Sequence, residues 1–109
     1  MDWRKLKVKV YNKLVRDNIP EIIEADGKSY DIVVAKKEEM GELLEKKLME
    51  EVNEYLEDKN VEELADIMEV VFGLAHNLGC SEEELLERRR IKYNERGGFK
   101  KGIILKCVK

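Results

Sequence analysis

Two pairs of acids set out the chemistry available to this chain: Glu51 with Glu54, and Glu63 with Asp66, each pair spaced by three residues. On an α-helix that spacing puts both side chains on one surface. Leu44, Leu48, Val52 and Tyr55 make the apolar face of one predicted helix, Glu51 falls in the middle of that face, and Lys47 stands one turn back beside it. On the next helix Glu63 lies at the rim of an apolar arc of Leu64, Ile67, Met68, Val71 and Leu74. Four ionised carboxylates packed on an apolar seam repel one another and are poorly solvated, so they must protonate, find cations or bind metal. An all-oxygen donor set suits magnesium or manganese, hard ions that keep waters able to bridge to substrate phosphates. The chemistry to expect from such a set is hydrolysis of a nucleotide polyphosphate.

The elements that must position these acids follow from the connection Asp58-Lys59-Asn60. It is short enough to force an antiparallel helical hairpin, in which residues at equal height have numbers adding to a constant. Both 51 with 66 and 54 with 63 add to 117, and the symmetry point falls inside the turn, so Glu51 should face Asp66 and Glu54 should face Glu63. A structural reading of the same residues stands beside this one. Glu63 fits a capping box begun by Asn60, Glu54 can be solvated, and Glu51 can pair with Lys47 at helical spacing.

The hairpin sits in a helical chain. The pattern predicts helices over residues 37–58, 61–78 and 81–96, with cap-to-third-residue spacing at Asn60 and Glu63 and at Ser81 and Glu84, and with Gly79 where a helix ends in a left-handed turn. A short helix carrying Pro20 in its first turn, capped by Asp17 or Asn18, is expected to stop near Gly27. Residues 7–15, 30–35 and 102–108 read as short β-strands able to form one small sheet. The expected fold is mainly α: a helical bundle on an antiparallel hairpin, with a few short strands from the N- and C-terminal segments, forming one domain over residues 1–109.

Composition narrows the class. The chain has 109 residues, 21 Lys and Arg against 24 Asp and Glu, and a net charge of -3, which argues for one small domain and against a generic nucleic-acid coat. It is 43% hydrophobic and 41% charged, a heavily charged surface around enough apolar residues for a core. Two cysteines and one histidine exclude a structural zinc set. No apolar run has the length of a signal peptide or a membrane span, so the expected compartment is the cytoplasm. His76 falls on the polar side of its helix and reads as a surface histidine.

Arg89, Lys92 and Arg96 share one face of the last helix with Leu85, a basic stripe that either holds polyphosphate oxygens or is simply solvated. Lys92 and Arg96 are the better site candidates, because the consecutive Arg88, Arg89 and Arg90 cannot all point inward.

The run Tyr11-Asn12-Lys13-Leu14-Val15-Arg16-Asp17, then Ile19-Pro20, the two acidic pairs and Arg96-Gly97-Gly98-Phe99 together resemble the MazG-like nucleoside triphosphate pyrophosphohydrolases of the small, single-domain, house-cleaning type. The resemblance spans nearly the whole chain. It implies that Glu51, Glu54, Glu63 and Asp66 are magnesium ligands, that Lys13 and Arg16 contact substrate, and that the chain forms a homodimer or homotetramer. The two acidic pairs stand closer together here than in many members of that family.

A mechanism is then expected in which Glu51 or Glu54 orients an attacking water, while Lys13, Arg16, Lys47, Lys92 and Arg96 serve as fixed cations for the triphosphate. The products would be nucleoside monophosphate and pyrophosphate. Phosphoribosyl-ATP is the alternative substrate under the same resemblance, and a non-catalytic helical oligomer that binds ions or a basic partner is the alternative of another class. Which base is recognised is open, since Trp3, Tyr11, Tyr55, Tyr93 and Phe99 serve equally as core or stacking residues.

Overall fold

The computed structural model describes residues 9–109. Its elements, in chain order, are α1 (Ile19–Ala25), a 3-10 turn (Lys37–Glu39), α2 (Met40–Asp58), α3 (Val61–Asn77) and α4 (Glu82–Arg96). Local chemistry accounts for most of the boundaries. Pro20 sits in the first turn of α1, where a missing N–H costs nothing. Asn18 holds the N-cap position there without a side-chain hydrogen bond, so the capping expected of it is not made. Asn60 and Ser81 do cap α3 and α4, accepting from the backbone N–H of Glu63 at 3.0 Å and of Glu84 at 3.2 Å. The end of α3 is a Schellman turn: Gly79 adopts φ +80°, and the N–H groups of Cys80 and Gly79 donate to the carbonyls of Ala75 and His76.

The centre of the fold is the α2–α3 hairpin. Lys59, at φ 51°, turns the chain within two residues, and the two helices then pack along their length. The pairing of heights matches the register read from the turn. A Cβ on Gly73 would stand 2.9 Å from Leu44 Cδ2, and one on Gly41 would stand 3.3 Å from Asn77 Nδ2, so at both positions a side chain of the facing helix fills the space a Cβ would need. Among the described residues the buried apolar side chains are Leu44 on α2 and Val70 and Ala75 on α3, and Glu51 on α2 is the buried charged one. The last helix, α4, packs on α3 and not on α2.

The strands expected over 30–35 and 102–108 are not formed among the described residues, and neither is the part of the 7–15 strand that lies within them; residues 7 and 8 fall outside. A strand is defined by its ladder, and these segments exchange no backbone hydrogen bonds with another described segment. Their β-branched residues are left in solvent: Val33 is 94% exposed and Ile104 84%. The single chain has a radius of gyration of 19.3 Å, against roughly 13 Å for a compact domain of this length. Among the described residues no helix is long and apolar enough to cross a membrane.

Candidate metal centre

The hairpin brings the four acids together. Glu51 and Glu54 on α2, and Glu63 and Asp66 on α3, each offer a carboxylate oxygen, and these four atoms lie within 4.8 Å of one another. Glu51 is 6% exposed and the other three are half-buried. The Oε2 atoms of Glu51 and Glu63 are closed to solvent and have no hydrogen-bond partner among the described residues. The Asn60 cap engages the backbone N–H of Glu63, which leaves that carboxylate unspent.

Among the described residues three cations border the cluster. Lys47 Nζ lies 3.3 Å from Glu51 Oε1 and 3.4 Å from Glu50 Oε2. The local pairing that the structural reading anticipated does form, but it takes only one oxygen of Glu51. Lys47, expected on the substrate, is therefore engaged with carboxylates of its own helix. Lys13 Nζ donates to Glu50 Oε1 at 2.7 Å, and Arg16 Nη2 donates to Asp66 Oδ1 at 2.7 Å. The structure thus brings Lys13 and Arg16 beside the acids from a segment far away in sequence.

Burial pushes the Glu51 carboxyl above its ordinary range; the Glu54 charge adds to the effect and the Lys47 ammonium opposes it. Glu63 is pushed up by desolvation first, and then by the charges of Glu54, Asp58 and Asp66. Glu50 moves the other way, held low chiefly by its hydrogen bond from Lys13, and Lys13 is raised by the same bond. Glu50 is the site residue that the sequence reading missed. Its spacing from Lys47 gave a local hint, whereas its partner Lys13 is 37 residues away and reaches it only through the fold.

Lys92 and Arg96 are not brought to the cluster. Both are exposed on α4, and among the described residues no ion pair or hydrogen bond joins either to the four carboxylates. Arg96 lies in the last turn of α4, where a cation complements the helix dipole. His76 is exposed in the last turn of α3. No protein-family model, curated protein or solved structure matches the chain. What the site can do follows from its donor set, four oxygens of one charge sign held half-buried by two packed helices.

Proposed function

We propose that this protein is a magnesium-dependent, MazG-like nucleoside triphosphate pyrophosphohydrolase, cleaving a normal or modified nucleotide to its monophosphate and pyrophosphate. The observation that carries the reading is the pair of closed-off, unpartnered carboxylate oxygens within a four-acid set spanning 4.8 Å. Buried charge of one sign without donors is unfavourable, and a hard divalent cation meets that need with the ligand type it prefers. The residues therefore fit magnesium or manganese, with Glu51, Glu54, Glu63 and Asp66 as ligands. When bound, such an ion neutralises charge developing on phosphate oxygens.

The chain's own groups do the rest. One of Glu51 and Glu54 accepts a hydrogen bond from the attacking water and orients it, and burial raises the Glu51 carboxyl above its ordinary range, toward the basicity such a role needs. Lys13 and Arg16 present cations at the edge of the acids and suit the triphosphate oxygens, the guanidinium by a two-pronged contact.

A homodimer or homotetramer is part of the proposal. The chain exposes 10592 Å², against about 6,300 Å² for a compact monomer of its mass, and the excess includes the apolar side chains of Val33, Val34, Phe99 and Ile104. A second copy supplies both the missing cover and the missing strand partners. The proposed compartment is the cytoplasm, where nucleotide pools reside.

The test is pyrophosphate release from normal, deoxy, methylated and deaminated nucleoside triphosphates and from phosphoribosyl-ATP, with and without magnesium. Metal-dependent release from one subset is expected and names the substrate class. Release from phosphoribosyl-ATP alone moves the assignment to that substrate, and silence throughout overturns the enzymatic reading in favour of a binding role.

A further inference from the structure

Two ion pairs join residues 9–18 to the α2–α3 hairpin. Lys13 lands on Glu50 of α2 and Arg16 on Asp66 of α3, both at 2.7 Å, so the segment straps the two helices together beside the acids. The two landing points differ in kind. Asp66 is one of the four clustered acids, whereas Glu50 stands outside that set. Arg16 thus occupies an oxygen of the same carboxylate that a divalent cation would need.

The three bordering cations also differ in how firmly they are held. Lys47 has 16% of its side chain exposed and is held by two acids of its own helix. Arg16 is 53% exposed and Asp66 40%, with a single contact between them. Exposed ion pairs of this sort are weak, because water competes for both partners. Lys13, 41% exposed and held among the described residues by Glu50 alone, is the intermediate case; the guanidinium is the most exposed of the three cations, and it is also the group best shaped for two phosphate oxygens.

We propose that Arg16 is a displaceable counter-ion. It holds Asp66 while the acids are metal-free, yields that carboxylate to the metal, and turns to the phosphates of the incoming nucleotide. Lys13, bonded to Glu50, keeps Arg16 within reach during the exchange, which makes Glu50 a positioning residue. This inference rests on the metal reading proposed above and concerns how that site is filled.

The experiment is Mn2+ titration of the full-length chain without nucleotide, by calorimetry or by the loss of the free-ion paramagnetic signal, for wild type, Arg16→Gln and Glu50→Gln. Both substitutions fall on partly exposed side chains, and circular dichroism checks that the helices persist. Arg16→Gln is expected to bind Mn2+ up to about fivefold more tightly, the range that an exposed pair can contribute. Glu50→Gln removes a negative charge near the site, which by electrostatics alone would weaken binding. Freed from its anchor, the strap competes less, and this variant is expected to bind Mn2+ at least as tightly as wild type. Glu50→Gln should also raise KM for the nucleotide more than it lowers kcat, with Glu50→Asp restoring KM. Unchanged or weaker Mn2+ binding by Arg16→Gln overturns the counter-ion role while leaving the metal site standing, and weaker binding by Glu50→Gln overturns the anchoring role. Failure of the wild type to bind Mn2+ overturns the metal reading itself and the exchange with it.

Discussion

The Oε2 atoms of Glu51 on α2 and of Glu63 on α3 are both closed off from solvent, and neither receives a hydrogen bond from a described residue. They sit on opposite arms of one hairpin, in a set of acids whose ligand oxygens lie within 4.8 Å of each other. Core packing by itself gives no reason to keep two such acceptors; a cation shared between the arms does.

Metal should therefore stabilise the fold. Magnesium or manganese is expected to raise the midpoint of thermal unfolding at fixed protein concentration, and a chelator to reverse it. Glu51→Gln should stabilise the metal-free protein by about 1 kcal/mol, roughly 4–8 °C for a domain of this size. The same substitution should erase most of the metal-induced increment. Scanning calorimetry of both proteins with and without metal checks the pair of effects.

Turnover should depend on the acids that the hairpin gathers. Glu54→Gln and Asp66→Asn are each expected to lower pyrophosphate release by about 10²-fold or more, the scale typical of losing a positioned catalytic or charge-stabilising group. Circular dichroism and oligomer mass should be unchanged. Full activity in both variants would sink the site.

The stability of the metal-free protein should depend on pH with two opposite limbs. Glu51 and Glu63 titrate above their ordinary value of 4.5 in the fold, so the folded state keeps protons that the unfolded chain has released. Their contribution is full below that value and is lost as pH rises through their raised folded values. Glu50 is lowered, so its contribution is present above 4.5 and is lost as pH falls through its folded value. Metal-free stability should peak in mildly acidic solution and decline toward neutrality. Saturating magnesium should remove or invert that decline, because only ionised carboxylates take the metal. Denaturant midpoints from pH 4 to pH 8 decide it, and Glu63→Gln should flatten the metal-free slope.

Close approach of the helices should be a stability determinant. Gly73→Val places a branched side chain where a single carbon already meets Leu44 at 2.9 Å. The expected loss is about 1–3 kcal/mol despite a better helix propensity, measured by chemical denaturation of the metal-free chain.

Light scattering should report a mass at least twice the 12.8 kDa of one chain. Placing a charge in the exposed apolar C-terminal segment, as in Ile104→Glu, should shift the population toward monomer. A monomeric wild type at micromolar concentration would refute the oligomer.

Much of this protein was determined by the sequence alone. The helix starts at Asn60 and Ser81 and the Gly79 stop are legible because each involves atoms within five residues of one another, and the register of α2 against α3 is legible because a two-residue turn leaves one way to fold back. From that register came the convergence of Glu51, Glu54, Glu63 and Asp66. The contacts of Lys13 with Glu50 and of Arg16 with Asp66 were settled only by tertiary structure, since no periodicity links residues 37 and 50 positions apart. Tertiary structure also separated Lys92 and Arg96 from the acids, because a helix face says which residues share a side and not what that side meets. The segments 30–35 and 102–108 fall between the two: their β-branched composition marks an extended backbone, but a strand exists only where another strand accepts its hydrogen bonds, and the described part of a single chain supplies none.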